Sequence, residues 1–67
     1  MAKIQLNGKK ISIKSNFSLE DLLKKYKLFN KKVAIEYNGK IIQKINFKNK
    51  LLKNNDKIEI VHFIGGG

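Results

Sequence analysis

The sequence predicts an α+β fold, a mixed sheet of four to five strands with one main helix packed on one face. Three observations predict it. Apolar and polar residues alternate with period two near both ends of the chain and in its middle. Two Asn-Gly pairs, Asn7-Gly8 and Asn38-Gly39, interrupt that alternation where hairpins turn. Between the two pairs, a single stretch switches to the spacing of a helix.

In chain order, Ile4 and Leu6 alternate with Lys3 and Gln5, and Ile11 and Ile13 alternate with Lys10, Ser12 and Lys14. With Asn7-Gly8 between them, the first fourteen residues read as a β-hairpin. Ser18 is a good helix N-cap, and Asp21 stands where a capping box places its second member. Phe17 and Leu22 are spaced as a hydrophobic staple. Glu20 and Asp21 lie in the first turn and Lys24, Lys25 and Lys27 near the end, both favourable to the helix dipole. Leu19, Leu22, Leu23 and Tyr26 form one apolar stripe on a helix from about Ser18 to Lys27. Val33 to Tyr37 is the next strand, with Val33, Ile35 and Tyr37 facing one way and Ala34 and Glu36 the other. A short strand near Lys40–Gln43 follows the second Asn-Gly turn. From Asn46 to Leu52 no period holds, so a 3₁₀ turn and a loop anchored by Phe47, Leu51 and Leu52 are expected. Asn54-Asn55-Asp56 is a turn. Lys57 to Ile64 is the last and most apolar strand, and such a strand belongs in the middle of a sheet. The simplest arrangement sets it parallel to the first strand, which is the ubiquitin-like β-grasp.

Sixty-seven residues allow one small core. The expected division is a single domain over residues 1–64 and a flexible glycine tail over 65–67. There is no cysteine, hence no disulfide, thiolate nucleophile or cysteine-based zinc site. His62 has no second histidine to share a metal with, and no metal site is expected. The first residues lack the apolar run of a signal peptide, and no apolar stretch is long enough to span a bilayer. The expectation is a cytoplasmic protein with no membrane partner. The net charge is +10, and all fifteen basic residues are lysine. Counterion release draws basic proteins to nucleic acid, but base and phosphate recognition favours the arginine fork, which is absent. The lysines are spread along the chain, as a solvated surface of biased composition would have them.

Little here suggests an enzyme. Glu20 and Asp21 are adjacent and diverge on a helix, where they serve its first turn. His62 lies within an apolar strand, where a packed or rim histidine is the ordinary role. A chain this small hardly encloses a pocket of converging polar groups. Chemistry concentrates instead at the end, Ile64-Gly65-Gly66-Gly67. Three glycines pack nothing, and each loses much backbone freedom when ordered. Extended, they make a thin arm of about 10 Å that can enter a narrow slot and present a carboxylate. A frayed terminus would read the same way. If Ile58, Ile60 and Ile64 face the helix, Val61 and Phe63 face the uncovered side of the sheet. An apolar patch there, next to the arm, suits partner docking.

The segment Ile58-Glu59-Ile60-Val61-His62-Phe63-Ile64-Gly65-Gly66-Gly67 after Asn55-Asp56 resembles the C-terminus of the thiamine-pathway sulfur carrier family, ThiS. Leu6-Asn7-Gly8-Lys9, the Asp21-Leu22-Leu23 helix core and the Val33–Asn38 strand with its turn are similar to it as well. The resemblance covers essentially the whole chain. It implies a carrier that acts as cosubstrate and does not itself catalyse. An E1-like adenylyltransferase (ThiF type) uses ATP and Mg²⁺ to activate the terminal carboxylate. A sulfur donor protein converts it to a thiocarboxylate, and a thiazole synthase (ThiG type) takes the sulfur. On this sequence the reacting group falls on Gly67, with Gly66 as its required neighbour and Gly65 in the arm. No cofactor is expected to bind the chain itself. A free α-carboxylate has a pKa of about 3.3–3.7, so it is an ionised nucleophile toward phosphorus, and adenylation supplies the leaving group it lacks. A terminal Gly-Gly is shared by ubiquitin-like protein modifiers and by the molybdopterin-synthase small subunit, so both remain alternatives. A small basic RNA-binding module is a third, although the Phe and Tyr residues stand mostly at core positions rather than as a stacking platform.

Overall fold

The computed structural model describes residues 1–62, with side chains through Val61. The elements run β1 (Ala2–Leu6), β2 (Lys9–Ile13), α1 (Leu19–Lys25), β3 (Val33–Tyr37), β4 (Lys40–Ile42), a 3₁₀ helix (Lys44–Asn49) and β5 (Lys57–His62). They form one five-stranded sheet in the order β2-β1-β5-β3-β4. β5 lies at its centre, parallel to β1 and antiparallel to β3. The last strand therefore occupies the position that its apolar run suggested. Phe63 and Ile64, expected to continue it, lie outside the described residues.

Both hairpins turn where the Asn-Gly pairs stand. Asn7 and Gly8 have φ of 48° and 86°, and Asn38 and Gly39 have 51° and 87°. Two successive positive φ values make a type I′ turn, whose twist suits paired strands. Asn tolerates this region through its short polar side chain, and Gly through having none.

The helix begins at a complete capping box. The Asp21 amide donates to Ser18 Oγ at 3.0 Å, and the Ser18 amide donates to Asp21 Oδ2 at 3.0 Å. Leu19, Leu22 and Leu23 are buried, and Phe17 packs against the same core. The fourth member of the expected stripe departs from it. The helix ends at Lys25, Tyr26 is its C-cap, and Tyr26 is 41% exposed. A Schellman motif stops the helix there. The Leu28 amide donates to the Leu23 carbonyl at 2.7 Å and the Lys27 amide to the Lys24 carbonyl at 3.1 Å. Lys27 takes the left-handed conformation, φ 59°, that glycine usually supplies.

The core is one cluster between sheet and helix: Ile4, Ile13, Leu19, Leu22, Leu23, Ile35, Phe47, Leu52, Ile58 and Ile60. Phe47 and Leu52 anchor the irregular stretch, as expected, but Leu51 is 46% exposed. Leu51 instead forms an isolated bridge with Ser18. The Leu19 amide donates to the Lys50 carbonyl and the Leu52 amide to the Phe17 carbonyl. Backbone pairing there turns Leu52 inward and Leu51 outward, so only one of the two leucines can reach the core.

Candidate functional site

The residues singled out as functional lie on β5 or just beyond it, so the setting of that strand defines the site. Three devices hold it. Parallel pairing with β1 is short, Gln5 opposite Lys57 and Leu6 opposite Ile58. Asn7 extends it, because its Oδ1 accepts from the Ile60 amide at 2.7 Å and its Nδ2 donates to the Ile60 carbonyl at 3.4 Å. A side-chain amide thus imitates one more residue of ladder after β1 has turned away. On the other flank, Asn38 Oδ1 accepts from the Lys57 amide at 2.7 Å. The two turn asparagines therefore brace the same strand.

The third device is Asp56, immediately before β5. It is buried, 7% exposed, and accepts from Tyr37 Oη at 2.6 Å, the Lys53 amide at 2.7 Å and Asn38 Nδ2 at 3.1 Å. Burial alone would raise its pKa, but the hydrogen bonds from Tyr37, Lys53 and Asn38 outweigh burial and hold it below the usual carboxylate value. Tyr37 moves the opposite way. Burial, then its hydrogen bond to the Asp56 carboxylate, push its pKa up to about 12. Lys50 Nζ lies 4.4 Å from the centre of the Tyr37 ring. The sequence marked Asp56 only as part of a turn. A turn acid placed before the most apolar strand, with a Tyr-Asn pair ending another strand, was the available signal.

With β5 fixed, its alternation is fixed. Ile58 and Ile60 face the helix and are buried, while Glu59 and Val61 face the uncovered side of the sheet. Val61 is 53% exposed and sits opposite Ala34 on β3. Glu59 sits opposite Glu36, and Glu36 sits opposite Ile41, which is 65% exposed. On this uncovered face the two carboxylates thus lie between an apolar row, Ala34 and Val61, and a polar one, Asn38 and Lys57, with Ile41 at the flank. Phe63, the other residue expected to dock a partner, and Gly65, Gly66 and Gly67 lie outside the described residues.

Elsewhere, an open cleft of about 390 Å³ lies between the helix end and the 3₁₀ helix, over Leu23, Phe29, Val33 and Phe47. Lys24 and Lys44 approach the Phe29 ring at 5.0 and 5.8 Å. No acid lines this cleft. Among the described residues, no three His, Cys, Asp or Glu side chains converge as metal ligands, and no helix is long and apolar enough to cross a membrane.

The sequence matches the ThiS family over residues 3–67. It is 46% identical over 65 residues to the sulfur carrier protein ThiS of Bacillus subtilis, covering 96% of this chain and 98% of that one. It is 38% identical over 65 residues to a thiazole synthase of Magnetococcus marinus, covering 97% of this chain but 20% of that protein. The fold is similar to the crystal structure of the thiamine biosynthesis protein ThiS from Geobacter metallireducens, with a TM-score of 0.82 at 26% identity over 97% of this chain and 99% of that one. The chain belongs to the ThiS family of sulfur carrier proteins.

Proposed function

We propose that this sulfur carrier of thiamine biosynthesis holds its cargo on the carboxylate of Gly67. The carboxylate oxygen attacks the α-phosphorus of ATP and pyrophosphate leaves, giving an acyl-adenylate. Sulfide from a donor then attacks the acyl carbon and AMP leaves, giving a thiocarboxylate. Thiazole synthase takes that sulfur for thiazole formation. Gly66 and Gly65 keep the approach narrow enough for the activating enzyme's channel, since neither presents a side chain. Residues 1–64 act as the domain and 65–67 as the arm.

The observation that carries this reading is the family match, which runs through residue 67 and so includes the three glycines. β5, braced on both sides, offers a firm base from which the arm departs. ATP and Mg²⁺ belong to an E1-like adenylyltransferase, which acts on the carrier as its substrate. Thiazole synthase as a second partner is supported by the Magnetococcus marinus protein of that name, one-fifth of which aligns with nearly all of this chain. Val61 and Phe63 serve docking, and the cytoplasm is the proposed location.

The test is intact-mass analysis after incubation with the adenylyltransferase, ATP, Mg²⁺ and sulfide. The expected result is exchange of one oxygen for sulfur, mapped to Gly67. One residue added after Gly67 should abolish the exchange with the circular dichroism spectrum unchanged. An unaltered mass under conditions that convert another ThiS would overturn the proposal. Covalent adducts on target lysines would select a protein modifier instead.

A further inference from the structure

The two asparagines that turn the hairpins are also open to chemical change. In an Asn-Gly pair the glycine nitrogen can attack the asparagine's own side-chain carbon, because the glycine carries no side chain to obstruct it. Asparagine counts among the thermolabile residues. Here the two pairs stand in nearly identical settings, Leu6-Asn7-Gly8-Lys9 and Tyr37-Asn38-Gly39-Lys40, which differ only in the first residue. Both asparagines are exposed, and a Cβ added to Gly8 or Gly39 would meet nothing within 4 Å. Water and room for ring closure are thus present at both turns. Unfolded, the two sites should react alike.

Folding sets them apart. Asn7 binds only neutral backbone, the Ile60 amide at 2.7 Å and the Ile60 carbonyl at 3.4 Å. Asn38 Oδ1 accepts from the Lys57 amide at 2.7 Å, while its Nδ2 donates to the Asp56 carboxylate at 3.1 Å. Ring closure must swing Asn38 Cγ onto the Gly39 nitrogen, and this requires Nδ2 to leave Asp56 and Oδ1 to leave Lys57. The clasp therefore governs how often the turn can react. The dependence also runs the other way. Asn38 Nδ2 is one of the three donors around the buried Asp56 carboxylate. With an oxygen in its place two carboxylates face each other at hydrogen-bond distance, where one strongly disfavours ionisation of the other.

We propose that Asn38 is a self-modification site that the Asp56 clasp holds shut, and that its deamidation releases the clasp. The Gly39 nitrogen bonds to Asn38 Cγ and gives up its proton, and Nδ2 departs with that proton as ammonia. Water then opens the succinimide at either carbonyl, leaving aspartate or isoaspartate at position 38. The net change consumes one water and yields one ammonia, with no oxidant or reductant. Isoaspartate also lengthens the backbone inside a two-residue turn that fits only one register. The change does not reverse in water, so it accumulates with the age of the molecule. It loosens the turn before β5, the strand from which residues 63–67 continue.

The experiment ages the full-length chain in warm buffer, folded and in urea. Peptide mass mapping follows the amide-to-acid exchange at each turn, and labelling by an isoaspartyl methyltransferase identifies isoaspartate. In urea the two sites should react within about twofold of each other, and folding should slow both. Tyr37→Phe removes one bond to Asp56 and leaves Asn38 in place. In the folded state it should speed reaction at Asn38 by about tenfold and at Asn7 by less than about twofold. The urea rate of the same variant corrects for the changed neighbour, and circular dichroism confirms that it is folded. Equal acceleration at both turns reports unfolding of the whole chain and overturns the clasp's control. A folded parent that reacts at Asn38 as fast as in urea overturns it too. For the second half of the proposal, Asn38→Asp and Asn7→Asp share the backbone cost of a positive φ. Asn38→Asp should lose more stability to urea, because only it meets Asp56. Equal losses overturn the release.

Discussion

Asp56 is the residue whose loss should cost the fold most for the fewest atoms removed. Its carboxylate accepts three hydrogen bonds, from Tyr37, Lys53 and Asn38, in a site 7% exposed. A hydrogen bond to a charged group contributes about 1.5–3 kcal/mol. Tyr37→Phe deletes one, and about 1.5–2 kcal/mol should be lost because the tyrosine is only half-buried. Asp56→Ala deletes all three, but the Lys53 and Asn38 donors lie near water and recover part of their bonding, so the expected loss is about 3–4 kcal/mol. A chain of this length has a total stability of about 3–10 kcal/mol. The alanine variant should therefore be marginal, and the phenylalanine variant should melt about 10 °C lower. Urea unfolding of both variants and their double mutant isolates the pair's coupling energy. Acid titration supplies a second check. The folded pKa of Asp56 lies below its unfolded value of about 3.9. Its contribution is complete above that value and lost as pH falls through the folded pKa. The stability gap between the parent and Asp56→Asn should hold from neutral pH to about 4 and close below it. Tyr37 acts in the opposite direction, its contribution present below pH 10 and lost as pH rises toward about 12. A coupling energy below about 0.5 kcal/mol, with a gap between parent and Asp56→Asn that ignores pH, would refute this account of the clasp.

Two further substitutions probe the backbone. Lys27→Gly should raise stability by about 0.5–1 kcal/mol in thermal unfolding, because glycine occupies φ 59° without the steric cost that lysine bears. Destabilisation would mean that the lysine side chain earns its place by contacts. Asn7→Ala should cost about 2 kcal/mol and speed amide exchange at Ile60, since it removes both side-chain bonds to that residue. Unchanged exchange at Ile60 would show that the asparagine does not extend the ladder.

The elements governed by local rules were legible in the sequence. Asn7-Gly8 and Asn38-Gly39 demand positive φ and obtain it, Ser18 and Asp21 close the capping box, and period-two alternation sorts Ile4, Ile13, Ile35, Ile58 and Ile60 inward. What depended on distant partners was not legible. Tyr26 continues the helical stripe in spacing, but the helix stops one residue earlier because Leu28 turns back to Leu23. Leu51 and Leu52 are chemically alike, and only pairing with Phe17 and Ser18 decides which is buried. The Asp56 clasp joins residues 19 positions apart. Glu36 and Glu59 could each be assigned to the outer face from alternation, but their opposition requires the register between β3 and β5.

Of the five strands described, the middle one is synthesised after the other four, and this has a consequence for protein quality. Until Lys57–His62 emerges, β1 and β3 have nothing between them, and Ile58 and Ile60 are missing from the core. A product truncated before that point lacks the pairing that unites its two hairpins, and so remains prey to proteases. Completion of the sheet thus certifies that translation has passed His62.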